Sequence, residues 1–181
     1  MPRTRPAPYV EVSPDYRRDK LENAILYFLS KADDPTLGKT KLMKLLYFAD
    51  FDHYERHEVP LTGATYFRLD EGPVPKVAFD LLEKLQSRGS ITMTPIKMGT
   101  HLQHRYQAKA EPRVDLFSDT ELQTLDDVVQ RWAKTRSSEI VAATHDEAPW
   151  LAVANNREIP YFLAFYRNNY GEMDLEDDEL N

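Results

Sequence analysis

Residues 41–51, KLMKLLYFADF, decide how the rest of this chain can fold. They lie inside a helical segment that runs from about Thr40 to His57. Leu42, Leu45, Leu46 and Ala49 recur at helical spacing on one face. Met43, Tyr47, Phe48 and Phe51 widen that face until little is left for water. A helix that is apolar on most sides has to be covered on most sides, so the segment predicts a central helix packed by other elements. Lys39, Lys41 and Lys44 form a small basic patch at its start, which reads as a solvated face.

Upstream, Ser13-Pro14-Asp15 predicts a helix start: a capping hydroxyl, a proline suited to the first turn and an acid that complements the helix dipole. Leu21, Ala24, Ile25, Phe28 and Leu29 carry that helix, and Asp33-Asp34-Pro35 ends it. Downstream, Pro60 and Gly63 close the central segment. ATYFRL, residues 64–69, reads as a short aromatic strand. In DEGPVP, Gly72 supplies conformational freedom and Pro73 and Pro75 fix two φ angles, which predicts a turn whose Pro75 opens a third helix. Ala78, Leu81, Leu82 and Leu85 would face inward, and Gly89 would end it. SITMTPI and HLQHRYQ predict a β-hairpin around Gly99, with Pro95 on an edge strand. Ser118-Asp119-Thr120-Glu121 is a capping box ahead of an apolar stripe of Leu122, Leu125, Val128, Val129 and Trp132. Ser137 or Ser138 would cap a shorter helix through Ile140 and Val141, and IPYFLAFYR closes the ordered chain. The expected fold is α+β and mostly α-helical, a single domain over residues 14–171 with a small antiparallel sheet or β-hairpin. Residues 1–13 are expected to be a flexible N-terminus, and 172–181 an acidic disordered tail.

The chain has 181 residues, 41% hydrophobic and 29% charged, an ordinary composition for one domain with its own core. Cysteine is absent, which excludes a disulfide framework, a thiolate metal site and a cysteine nucleophile, and fits a reducing cytoplasm. No apolar run is long enough to span a bilayer, and the basic start lacks the apolar stretch of a signal peptide. The expected location is the cytoplasm, with no membrane partner. The formal net charge is -7, and EMDLEDDELN at the C-terminal end carries six acids and no base, leaving about -1 for everything before it. A body near neutrality does not suit a protein that must neutralise many phosphates, so nucleic acid is a poor partner.

Four constellations bear on chemistry. His53 and His57 share a helix face, a spacing that metal sites use, but also one that suits the C-terminus of a helix. His145-Asp146-Glu147 places an imidazole beside two carboxylates, yet sequence neighbours on a helix point in different directions and no nucleophile motif accompanies them. Gly38-Lys39-Thr40 resembles the end of a phosphate loop without the glycine that the motif needs upstream. The order helix, helix, strand, helix, hairpin is loosely that of a winged helix, which keeps a winged-helix-like DNA-binding regulator as an alternative reading. However, its candidate reading helix balances Lys76, Lys84 and Arg88 against Asp80 and Glu83, which suits a phosphate groove badly. No cofactor is expected.

One stretch carries a family likeness. KLMKLLYFADFDHYERHEVPLTGATYFRLDEGPVPKVAFDLLEKL resembles the Panacea domain, known from SocA-like antitoxins and phage-associated GepA-type proteins. The matching features are the K-L-x-K-L-L-Y-x-A-D helix, the L-T-G-A-x-Y segment, the G-P-V-P stretch and a later E-I-V-x-x-T-H-x-E-x-P-W run. The resemblance covers about Leu21 to Tyr166. It implies a non-enzymatic cytoplasmic antitoxin of a bacterial or phage toxin–antitoxin system, neutralising a cognate protein toxin by direct binding. A related member acts instead as an adaptor that hands its toxin to an ATP-dependent protease. The candidate toxin-contact residues are Tyr47, Asp50, Tyr66, Arg68, Gly72, Pro73, Pro75, His145 and Trp150, with a purely architectural turn as the competing reading of Gly72, Pro73 and Pro75.

Overall fold

The computed structural model describes residues 15–167; the expectations for residues 1–13 and for the tail 172–181 lie outside them. The central helix is α2, Lys39–His57, and thirteen of its residues, from Lys41 to His53, are buried. It is covered by α1 (Arg18–Lys31), by α4 (Asp119–Trp132), by α5 (Ser137–His145) and by a closing 3-10 turn, Tyr161–Tyr166. Strand β2 (Gly72–Pro75) lies along it as well. The fold is α+β and mostly helical, as the periodicities imply.

Two small antiparallel sheets complete the architecture. In the first, of order β2-β1-β5, β1 (Tyr66–Leu69) pairs Tyr66 with Pro75 and Leu69 with Gly72, and on its other side pairs Tyr66 with Ile159 of β5 (Glu158–Ile159). The second is the hairpin of β3 (Ile91–Met98) and β4 (His101–Ala108), in the register expected from a turn at Gly99. Helix α3 (Val77–Ser87) buries Ala78, Leu81, Leu82 and Leu85 between the two sheets in sequence. The capping box at Ser118 forms in full: the Ser118 hydroxyl accepts from the Glu121 N–H, and the Glu121 carboxylate accepts from the Ser118 N–H at 2.9 Å. A short α6, Ala148–Leu151, follows α5.

Four local expectations are corrected. Helix α1 begins at Arg18, because the Arg17 N–H is spent on the Thr62 carbonyl at 2.7 Å and Asp15 sits in a turn; Ser13 and Pro14 lie outside the described residues. Residues 72–75 are a buried strand rather than a turn, and α3 starts after Lys76, so Pro75 ends a strand instead of opening a helix. The prolines are tolerated because β2 is an edge strand. Pro73 stands opposite Arg68, whose own N–H and C=O bond to Arg157 and Asn156 on the β5 side, so no donor is needed at that position. Neither Ser137 nor Ser138 caps α5; Arg136 does so, its N–H donating to the Glu139 carboxylate at 2.6 Å.

The fourth correction concerns the lysines of α2. Lys41 is 1% exposed and Lys44 0%, so two of the three basic residues are inside the protein. Lys41 donates to Asp34 at 2.7 Å and to the carbonyls of Ala133 and Thr135, closing the open C-terminal end of α4. Only Lys39 is on the surface. A helix with no free face must turn its charged residues inward too, and each then requires its own acceptors.

Asp50, at the middle of α2, anchors the segment that leads into β1. Its carboxylate accepts from the Thr62 N–H and hydroxyl, both at 2.5 Å, and from the Tyr66 hydroxyl at 2.6 Å. Gly63, at φ +71, fits under this loop only because it lacks a side chain: a Cβ there would stand 2.4 Å from the Asp15 carbonyl oxygen. Gly63→Ala is therefore expected to cost about 1–3 kcal/mol, from left-handed strain and the backbone collision together. Urea unfolding monitored by tryptophan fluorescence checks this, and an unchanged midpoint would refute the close packing of the two segments.

Candidate functional site

The residues singled out for toxin contact converge on β1, β2 and the end of α5. They divide into a buried foundation and a partly exposed layer. Tyr47 (0% exposed), Asp50 (0%) and Tyr66 (1%) lie beneath the sheet and have no surface to offer a partner directly. Tyr47 and Tyr66 meet edge-on at 5.9 Å, and Phe51 and Tyr161 extend the same aromatic cluster. Burial pushes both phenols well above their ordinary range, and it pushes the Asp50 carboxyl up as well, outweighing the donors that face it. Gly72, Pro73 and Pro75 form a buried strand above this cluster.

Arg68, His145 and Trp150 are the partly exposed members. The Arg68 guanidinium lies 3.9 Å from the centre of the Trp150 ring, and the His145 imidazole stacks on the same indole at 4.1 Å. The indole N–H donates to the Leu69 carbonyl at 3.1 Å, and Arg68 donates to the Val153 carbonyl. The stack thus ties the β1–β2 connection to α5 and α6. A cation–π contact of this kind contributes about 0.5–2 kcal/mol and leaves a flat, amphipathic surface.

Sequence reasoning missed three residues here. Lys44 donates to the Pro73 carbonyl of the edge strand β2, 2.9 Å away and its one hydrogen-bond acceptor among the described residues. Gly72, at φ +97, makes room for it: a Cβ there would stand 2.8 Å from Lys44 Cε and 2.5 Å from Thr144 Oγ1. Glu147 accepts from the Tyr47 hydroxyl at 2.6 Å and pairs with Arg167 at 2.9 Å. Arg167, 4% exposed in its side chain, also pairs with Asp52 at 2.7 Å and Glu55 at 3.3 Å. Burial works against its charge, but Glu147 and its other neighbours outweigh that and hold the guanidinium above its usual range. The only sequence signal for this clamp was the concentration of charges within an apolar helix.

Several candidate chemistries lose their groups to structure. His53 Nδ1 lies 2.6 Å from the Val59 carbonyl and Nε2 lies 3.2 Å from Thr120 Oγ1, so both nitrogens are engaged. His145 and Glu147 diverge, one to the indole and the other to Tyr47 and Arg167, while Asp146 is exposed. Among the described residues no group of three or more His, Asp or Glu side chains is placed to hold a metal ion. No described helix is long and apolar enough to cross a membrane.

Two hollows flank the sheet. One, of about 390 Å³, lies over Lys44, Val74 and Phe79 beside Asn155 and Asn156. The other is an open groove of about 1050 Å³ between the start of α2, the start of α5 and the β3–β4 hairpin; His145 lines it. They share Lys39, Thr40 and Glu71.

The fold and this surface define an α+β domain with a partly exposed aromatic–cation stack on a rigidly backed strand pair. The family model for the antitoxin SocA-like Panacea domain matches residues 42–151, and the chain belongs to that family. The match takes in α2 from Leu42 onward, both halves of the β1–β2 pair and the stack on Trp150. No curated protein and no solved structure matches the chain.

Lys44 gives this site a pH signature. Burial lowers its amine from the usual 10.5 to about 7, with Glu71 opposing the shift in part. The folded state therefore binds fewer protons than the unfolded state between those values. The cost of burying Lys44 is greatest below pH 7 and fades as pH rises towards 10.5. Relative to Lys44→Met, the wild-type chain should gain roughly 2 kcal/mol of stability between pH 7 and pH 9. Paired urea titrations at the two pH values test this, and parallel pH dependences for the two proteins would refute it.

Proposed function

We propose that this chain is the antitoxin of a bacterial or phage toxin–antitoxin pair, and that it neutralises a cognate protein toxin by direct contact in the cytoplasm. The observation that carries the reading is that the family-matched segment contains the partly exposed stack of Arg68, Trp150 and His145, which rests on the packed β1–β2 pair. Tryptophan and arginine are the residues that most often dominate protein–protein binding, above all where the backing is rigid. In this reading Arg68, His145 and Trp150 touch the toxin. Tyr47, Asp50, Tyr66, Gly72, Pro73 and Pro75 hold the contact surface in shape from beneath. Binding alone accounts for neutralisation, so neither a catalytic group nor a cofactor is called on.

The test is co-expression with the toxic product of the neighbouring reading frame. Growth should be restored, and the two chains should co-purify as a complex burying roughly 1,200–2,000 Å². Arg68→Ala and Trp150→Ala should each weaken that complex at least tenfold, as measured by calorimetry, while the far-ultraviolet circular dichroism is retained. Rescue of growth without any complex would overturn direct neutralisation. A complex in which the toxin's cellular half-life falls only when an ATP-dependent protease is present would identify the adaptor form of the same interaction.

A further inference from the structure

The larger groove brings exposed basic and exposed apolar side chains together. Lys39, His104, Arg136 and His145 line it, and Glu71 is the one acid among its described lining residues. Lys39 and Arg136 are exposed, and neither pairs with a carboxylate among the described residues; Lys39 rests over the Phe79 ring at 4.0 Å. Arg56, Arg88 and Arg131, by contrast, each hold an acidic partner. His145 Nε2 is buried and has no hydrogen-bond partner among the described residues. The hairpin wall adds two large apolar side chains that the fold leaves in solvent, Met98 at 47% and Leu102 at 65% exposed. The groove thus offers cations on the helix side and exposed apolar surface on the hairpin side, and among the described residues the Lys39 and Arg136 side chains form no salt bridge.

We infer that this groove receives an extended acidic segment of the protein partner, its carboxylates against Lys39 and Arg136 and its apolar side chains against Met98 and Leu102. The inference rests on the reading of the chain as a toxin-binding protein and names the chemistry of the segment bound. Charge complementarity selects the occupant. A second copy would bring the same cations to the same place, and a nucleic acid would meet Glu71 and a body whose net charge is about -1. His145 connects the groove to the Arg68–Trp150 stack, so one partner can engage both surfaces continuously.

The full chain can be tested with a fluorescein-labelled peptide of four Leu-Asp-Glu repeats, read by fluorescence anisotropy. Binding should be saturable and weaken with added salt. The double variant Lys39→Glu with Arg136→Glu should bind at least tenfold more weakly. Lys31→Glu with Lys134→Glu, the same charge change at exposed sites outside the groove, should leave the affinity within twofold. Equal losses in both double variants would overturn the inference, as would tighter binding of a DNA duplex or of a Leu-Lys-Lys repeat at the groove. Replacing the six acids between Glu172 and Glu179 by amides should leave the peptide's affinity unchanged. A large gain would show the groove already filled by this chain's own acids and would overturn the partner assignment. With the toxin in hand, the outcomes separate. A stable complex indifferent to Lys39→Glu with Arg136→Glu refutes the groove but leaves direct neutralisation standing. Peptide binding without any toxin complex refutes direct neutralisation but not the groove.

Discussion

The middle of α2 has no solvent face, so every polar group on it must be satisfied by another element, and the rest of the structure is arranged around that requirement. Lys41, Lys44, Asp50, Asp52 and His53 are all buried. An unpaired buried charge costs several kcal/mol, far more than a surface contact contributes, so each of these side chains dictates where a neighbouring segment runs. Lys41 takes the end of α4, Lys44 takes β2, Asp50 takes the loop into β1, and Asp52 takes Arg167. The apolar residues between them supply the burial energy, while the polar ones supply the addresses.

The same logic explains how a four-residue strand with two prolines becomes a stable support for the surface above it. A short edge strand is a weak element by itself. Here it is held on one side by β1 and from beneath by the Lys44 bond to Pro73, with Gly72 allowing the lysine stem to pass. The prolines reduce the freedom that the segment loses on folding and leave no unpaired N–H at its outer edge. The indole of Trp150 then closes over the β1–β2 connection, stacked with Arg68 and His145. Such backing matters for a binding surface because a preorganised surface loses little entropy on binding.

A polar clamp completes the far side of this surface. Arg167 gathers Asp52, Glu55 and Glu147 around one guanidinium, and Glu147 passes the connection on to Tyr47. The clamp fastens the closing 3-10 turn to α2 and fixes the direction in which α6 leaves α5. It thereby sets the position of Trp150 without touching it. The stack at the surface and the clamp in the interior are thus two ends of one arrangement, joined through the aromatic cluster of Tyr47, Phe51, Tyr66 and Tyr161.

The sequence by itself determined the helices, the hairpin and the central place of α2, because these depend on local periodicity, capping and turn chemistry. The apolar width of KLMKLLYFADF already required a covered helix, and Ser118 with Glu121 already defined a cap. The resemblance carried by residues 41–85 also indicated the family correctly. What only the tertiary structure decided is the fate of side chains whose partners are remote in sequence. Lys41 and Lys44 read as a solvated patch because nothing local distinguishes an exposed lysine from one that meets Ala133 or Pro73. GPVP read as a turn because its strand character comes from β1, and Arg68 and His145 join only through Trp150. Local sequence encodes which backbone a segment prefers; the satisfaction of buried charge and the meeting of distant rings are properties of the packed chain alone.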